Sequence, residues 1–242
     1  MQAMLHSFTE LVRSGEVDWS PPACAPSEPE ALAEALSAES LDGFLRQCAS
    51  PYVVRHRNPG RLLEQMMYYR SVAGSDDTEV DVSAWLPESE EDKCAFEGLS
   101  DRWMVTIASG NSQPQLQMPK LANYLGSQGL SIRRVFLDLM EDERNDHPVM
   151  MLRMLVSRSG DDSDPDAPLP CAERLSADVK KLKWIDDRVI KMADQHRCLD
   201  FGRAEIIVAL ANLVHGPLHK RNRHAFTREE LFRLLNNCFA PG

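Results

Sequence analysis

The spacing of apolar residues divides the chain into three regions, each with its own kind of element. Residues 1 to about 50 hold short helical patterns around a Pro-rich break, "WSPPACAPSEPE" (Trp19 to Glu30). Ser27 and Glu30 stand three apart, as a capping box requires, so this stretch predicts peripheral helices. Residues 51 to 157 alternate between periods. In "NPGRLLEQMMYYRSV" Asn58 is placed to cap a helix, Pro59 suits its first position, and Leu62, Met66 and Tyr69 share one face. Strands are predicted at "TEVDVSAWL" (Thr78 to Leu86) and "WMVTIAS" (Trp103 to Ser109). A helix starting near Pro119 follows, with Leu121, Ala122 and Leu125 on its stripe and Gly129 as its left-handed stop. Leu130 to Met140 then reads as a strand, Glu141 to Asp146 as an acidic hairpin, and His147 to Val156 as a further strand.

The order strand, helix, strand, strand predicts an α+β module with a βαββ sheet. Its last strand is unusual. A strand with one wet face alternates apolar and polar residues, yet from Val149 to Val156 only Arg153 is polar. Both faces therefore need a cover. One takes the helices of the module; the other is covered by the rest of this chain, or by a partner subunit or an absent domain. On the second alternative Met150, Leu152, Met154 and Val156 are candidate interface residues.

After an acidic, Pro-rich linker (158 to 171) the pattern becomes helical to the end. Leu182, Ile185, Val189 and Met192 form one stripe. "FGRAEIIVALANLVH" (Phe201 to His215) is apolar nearly all round and is expected to be the buried helix of a bundle. Thr227 and Glu230 make a capping box, Phe226 and Leu231 sit at staple positions, and Leu231, Leu234, Leu235 and Cys238 give the last helix one apolar face. The expected division is thus 1–50 peripheral helices, 51–157 the α+β domain, 158–171 the linker, and 172–242 a helical domain.

Composition narrows the partners. A net charge of −10 over 242 residues argues against nucleic-acid phosphates or an anionic membrane as a partner. Six cysteines without a CxxC pair do not suggest zinc, and reduced thiols inside a cell are the simpler account. No apolar run approaches the roughly 20 residues a membrane span needs. The expected setting is intracellular, cytoplasmic or mitochondrial.

Candidate chemistry is sparse. His215 and His219 are four apart, but Pro217 between them is expected to interrupt the helix, so a metal site is not predicted. There is no GxG for a dinucleotide, no Walker loop and no GxSxG, and Cys198 near His196 reads as a helix-end pair. No catalytic, cofactor-binding or metal-ligating residue is assigned. The turn "SGNSQP" (Ser109 to Pro114) differs, because it joins a strand to a helix start, where free backbone N–H groups can hold a carboxylate. Ser109, Gly110, Asn111 and Ser112 are therefore candidate effector-binding residues for a small anion such as an amino acid.

Two stretches carry a resemblance. Trp103 to Val156, with its helix ending in "YLGSQGLSI" and its long strand bearing Arg134 and Asp138, resembles an ACT-type regulatory domain of ferredoxin-like form. The stretch "KWIDDRVIKMADQHRCLDFGRAEIIVALANLVHGPLHKRNRHAFTREELFRLL" is similar to the helical segment that precedes the catalytic part of the large NAD-specific glutamate dehydrogenases. Arg203, Ala204, Glu205, Ile206, Leu213 and His215 carry that pattern first, followed by Leu218, Asn222, Ala225, Phe226 and Arg228. The resemblance implies a non-catalytic regulatory and oligomerising segment of an NAD-dependent enzyme that deaminates glutamate oxidatively. It implies a homo-oligomer formed through the parent enzyme, an amino-acid effector, and no cofactor on this segment. The alternative is a free-standing ACT-like amino-acid sensor or protein-interaction module. Two features depart from the family: only Gly110 stands where a glycine-containing "DRPG"-like turn is usual, and no fourth strand is visible after a second helix.

Overall fold

Strands form where the alternation predicts them, and their pairing produces one sheet. The computed structural model describes residues 59–85, 102–159, 171–195, 201–222 and 227–239, together with Pro22, Cys24, Ala25, Ser27, Ser37, Gly43, Phe44, Cys94 and Phe96. The expected peripheral helices of residues 1–50, nearly all of the acidic linker, and the His196–Cys198 pair lie outside the described residues. In chain order the elements are α1 (Pro59–Val72), β1 (Thr78–Ala84), β2 (Trp103–Ser109), α2 (Pro114–Ser127), β3 (Leu130–Met140), β4 (Val149–Arg158), α3 (Ala172–Lys181), α4 (Asp187–Gln195), α5 (Phe201–Arg221) and α6 (Arg228–Phe239). The class is α+β.

The four strands lie in the order β1-β2-β4-β3 and every neighbouring pair is antiparallel. β2 and β3 therefore run parallel with β4 between them, and α2 carries the chain from one to the other. Thr106 stands between Asp81 and Arg153, and Arg153 is opposite Phe136, which fixes the register across the sheet. A bulge at Arg133 interrupts only the beginning of β3.

Because β4 is apolar on both faces, both faces are packed, and the chain's own helices pack them. On one face Val105, Ile107, Leu152, Met154 and Val156 share a core with α2, α3, α4 and α5. On the other, Ala108, Val149 and Met151 meet Leu63, Met66, Met67 and Val72 of α1. The cover is thus intramolecular. The helices after the linker contribute Leu175, Val179, Val189, Phe201 and Ile207 to the same core as the sheet.

Several predicted helix boundaries move, each for a local reason. α2 begins at Pro114, five residues before Pro119, because Pro114 takes the first-turn position that needs no N–H. Pro119 is then accommodated inside the helix, where the carbonyl it cannot satisfy belongs to the exposed Gln115. Gly129 does stop the helix, at φ +73°. The stripe Leu182, Ile185, Val189, Met192 is buried as a unit but does not lie on one helix. Asp186 ends the first run by capping the second: its Oδ1 accepts from the Arg188 amide at 2.9 Å.

α5 corrects two expectations. It runs through Pro217 without a break, since the clash a proline imposes on the preceding residue involves that residue's Cβ, and Gly216 has none. The carbonyl left without a donor is that of the exposed Leu213. The helix is also not buried all round. Phe201, Ala204, Ile207, Val208 and Ala211 pack inward, while Ile206 (52% exposed) and Leu213 (73%) face outward. At α6 the Thr227 hydroxyl accepts from the Glu230 amide at 3.2 Å, but the Glu230 carboxylate turns to Arg233 instead of completing the box.

Candidate functional site

The turn after β2 is built by close backbone approach. A Cβ on Gly110 would stand 2.3 Å from the carbonyl oxygens of both Val72 and Ser75, so only glycine fits. Asn111 follows at φ +44°, a left-handed conformation its short amide side chain tolerates. Pro114 then starts α2.

This geometry occupies the amides that were expected to be free. The Gly110 N–H donates to the Asp77 carbonyl at 3.0 Å and the Ser112 N–H to the Pro148 carbonyl at 2.9 Å. Ser109 and Ser112 are each 1% exposed; their hydroxyls pair with Thr78 (3.0 Å) and Gln117 (2.8 Å). Of the four candidate effector residues, only Asn111 reaches the adjoining cleft. Its Nδ2 donates to Asp76 at 2.7 Å, and its buried Oδ1 has no partner among the described residues. The turn is a structural clasp rather than an open anion nest.

The cleft itself, of about 390 Å³, is formed by three segments remote in sequence. Asn111 and Gln113 come from the turn, Asp146 and His147 from the β3–β4 loop, and Lys183 and Trp184 from the α3–α4 connection. Gln113 Nε2 and His147 Nε2 lie 2.7 Å apart and are joined by a hydrogen bond. Lys183, only 11% exposed at its side chain, donates to the Gly110 carbonyl (2.6 Å) and the Asp76 carbonyl (3.0 Å), with the Asp76 carboxylate 3.6 Å away. Burial pulls its ammonium below the ordinary lysine pKa, against the pull of Asp76 toward the charged form. Lys120 likewise donates to the Ile185 carbonyl at 2.7 Å and stands 3.5 Å from Asp187. Both cations are engaged by the protein. What the cleft offers a ligand is amide and imidazole hydrogen bonding beside the indole of Trp184, which is 66% exposed.

No spacing rule points to these residues. Lys183 and Trp184 sit in the break between two helices that the apolar stripe reads as one, and His147 lies just before β4 instead of within it. His215 and His219, brought onto one face by the unbroken helix, stack with ring centroids 5.1 Å apart. Among the described residues no group of three His, Cys, Asp or Glu side chains could hold a metal ion.

The candidate interface residues are all inside. Met150 (2%), Leu152 (1%), Met154 (0%) and Val156 (0%) are covered by this chain's own helices, so none presents a surface to a partner. Among the described residues the large exposed apolar side chains are elsewhere, on β3, on the outer side of α5, at Leu116 and Trp184 beside the cleft, and at Leu234 of α6.

The opposite side of the sheet holds a second polar constellation. Glu64, Gln65 and Tyr68 of α1 face Thr106, Asp138 and Arg153 around a cavity of about 30 Å³. Gln65 Nε2 donates to Asp138 at 3.1 Å. Burial raises the Glu64 pKa, with Arg153 pulling the other way. Tyr68 is held protonated by burial and by nearby Asp81. These groups fix α1 on the sheet; none is poised against a nucleophile.

The chain matches no protein-family model and no curated protein. No helix among the described residues is long and apolar enough to cross a membrane.

Proposed function

We propose that this chain is the non-catalytic regulatory and oligomerisation segment of a large NAD-dependent glutamate dehydrogenase, with the deamination of glutamate carried by a catalytic part outside these residues. The observation that carries this reading is that the two resembling stretches build one folded unit. Trp103 to Val156 supplies β2, α2, β3 and most of β4, and the C-terminal stretch packs α4 and α5 into the core beneath that sheet. The strand order β1-β2-β4-β3, all antiparallel, suits an ACT-like, ferredoxin-like sheet. Its outer strand comes from upstream, as β1, where such a module ordinarily takes it from downstream; this accounts for the fourth strand that the sequence after β4 lacks. In the C-terminal pattern Ala204 faces inward while Arg203, Glu205, Ile206 and Leu213 face outward, which leaves one side of α5 for further parts of an enzyme.

NAD does not fit these residues. The strand-to-helix turn that would approach a pyrophosphate has the single glycine Gly110, which is walled in by the carbonyls of Val72 and Ser75. On this reading the cofactor belongs to the catalytic part. The deciding experiment reads the transcript downstream of Gly242 and assays the chain and the longer product for glutamate-dependent NAD reduction. An open frame with a glycine-rich lysine segment, then a strand and GxGxxG, with activity only in the longer product, is the expected result. A stop codon directly after Gly242 overturns it.

The cleft beside Trp184 favours a second reading, a free-standing ACT-like module that senses an amino acid or binds a protein. Its expectation is a rise in thermal midpoint with one amino acid of a panel, lost on Gln113→Ala.

A further inference from the structure

The unbroken course of α5 sets side by side two residues that a break at Pro217 would separate. Ala204, Val208 and Ala211 lie on its inward side, and at helical spacing His215 and His219 continue that stripe past the core. Both imidazoles are half-buried, and their rings stack with 5.1 Å between centroids and 21° between planes. The Nδ1 atom of His219 is buried and has no hydrogen-bond partner among the described residues. A buried ring nitrogen is costly to leave unpaired, and a metal ion is a partner that neutral imidazole takes directly.

The spacing is that of a chelate. Histidines four apart on a continuous helix share one face and can bond the same ion. Such an ion stands about 2.0–2.1 Å from one nitrogen of each ring. With the centroids 5.1 Å apart, small side-chain rotations bring both nitrogens onto it. Imidazole suits the borderline divalent ions Zn²⁺, Cu²⁺ and Ni²⁺, whereas Mg²⁺ and Ca²⁺ take oxygen ligands. No third His, Cys, Asp or Glu joins the pair among the described residues, so it offers two ligands and leaves the other positions to water. The pair reaches the last turn of α5, where the helix dipole favours a cation, and Lys220 and Arg221 of that turn are exposed and lie off the stripe.

The residues between the two ligands give the site a consequence. Gly216 and Pro217, the two residue types of lowest helix propensity, occupy the turn that the pair spans. We infer that His215 and His219 form a two-imidazole site for a zinc-class divalent ion, which clamps the Gly216–Pro217 turn and orders the end of α5. The inference rests on α5 alone and holds whether the chain belongs to a dehydrogenase or acts by itself.

The test uses the full 242-residue chain without a histidine tag. Cu²⁺ is the probe for electron paramagnetic resonance, and Zn²⁺ the probe for calorimetry and hydrogen exchange. Thermal midpoints without metal show that each variant folds. The unaltered chain is expected to bind one ion, with two ring nitrogens coupled to the copper, and to ignore Mg²⁺. With Zn²⁺ present, the amides of residues 218–222 should exchange more slowly. His215→Gln and His219→Gln keep most of the side-chain bulk but leave one imidazole, and each should weaken Zn²⁺ binding about tenfold or more. The double variant H219Q/K220H keeps the number of histidines and moves the second one off the stripe, so it should bind as weakly as His219→Gln. Unaltered affinity in either single variant or in H219Q/K220H means an adventitious ion held elsewhere, and overturns the inference. Absence of binding, or a bound ion that leaves exchange at 218–222 unchanged, overturns it as well. The copper spectrum and the exchange of the unaltered chain decide this even where a variant fails to fold.

Discussion

The two faces of the sheet are both buried, yet they are held by different physics. Beneath α2 to α5 the contact is almost wholly apolar, and the polar atoms that enter it are paired: the Tyr124 hydroxyl, on a fully buried residue, donates to Asp178 at 3.0 Å. Under α1 the apolar cluster is smaller and is interrupted by Glu64, Gln65, Thr106 and Arg153. Alternation alone does not distinguish these situations, since Arg153 is the one polar residue in an apolar run. The difference teaches that a strand apolar on both sides can have two unlike environments, one a dry apolar core and one with titratable groups set into it.

The harshest way to break the comparison is Met154→Asp. A carboxylate at a fully buried position of the apolar face has no partner, and the expected loss exceeds about 4 kcal/mol. The variant should be insoluble or unfolded by circular dichroism; a folded protein with an ordinary melting point would show that this face is not the dry core.

Asp142 tests the other side, where it ties the β3–β4 loop to the turn after α1. Burial opposes its charge, but hydrogen bonds from the Gly74 and Arg144 amides and from Asn145 outweigh this and hold its pKa below the ordinary value. Asp142→Asn puts an NH₂ against those donors and should cost about 1–3 kcal/mol in denaturant unfolding at neutral pH. A depressed pKa gives stability that is present above the unfolded value and lost as pH falls through the folded one. The exposed Asp186, held down to about 2 from 3.8 by its hydrogen bonds to Arg188, acts with the same sign. The unaltered chain should therefore lose stability as pH falls from about 3.8 toward about 2, and the gap between it and Asp142→Asn should narrow. A constant gap over that range would remove Asp142 from the account.

Tyr124→Phe keeps the ring that packs 4.9 Å from Phe201 and removes only the hydrogen bond to Asp178. About 1 kcal/mol of destabilisation is expected, unchanged across neutral pH. The smallest effect has the opposite direction. Glu64 has a raised pKa, so the fold disfavours its charged form, and the stability it contributes is lost as pH rises above the ordinary value of 4.5. Glu64→Gln should raise the thermal midpoint slightly at neutral pH and leave it unaltered below that value. A lower midpoint at neutral pH would mean that the pairing with Arg153 outweighs burial.

Much of the fold is legible in the residues because its strands obey simple rules. β2 and β3 begin and end where alternation and turn residues place them, and Gly129 stops α2 as glycine stops helices. Legibility fails where a second force competes with pattern. Pro119 and Pro217 suggest boundaries, but solvent-facing carbonyls and the missing Cβ of Gly216 let both helices continue. The stripe from Leu182 to Met192 reads as one helix because the core it joins is continuous, while the Asp186 cap divides it. The site is less legible still. The turn at Gly110 is found from its sequence, but the amides it was expected to offer are bonded to Asp77 and Pro148, from segments on either side of it in the chain. Lys183, Trp184 and His147 meet there only through the tertiary fold.

The recruitment of β1 from upstream also sets the order in which the protein can assemble. β3 and β4 are joined by a short loop and need little chain closure, so they and α2 can form early. The centre of the sheet is different, because β2 must find β4 across the whole intervening unit, with Trp103 opposite Val156. Non-local pairings of this kind slow folding, since the closure entropy is lost before the contacts form. A nascent chain presents β1 and β2 first, yet the sheet has no middle until β4 has been made. Closure of this sheet therefore waits for β4, the fourth strand made, whatever the order in which the others are synthesised.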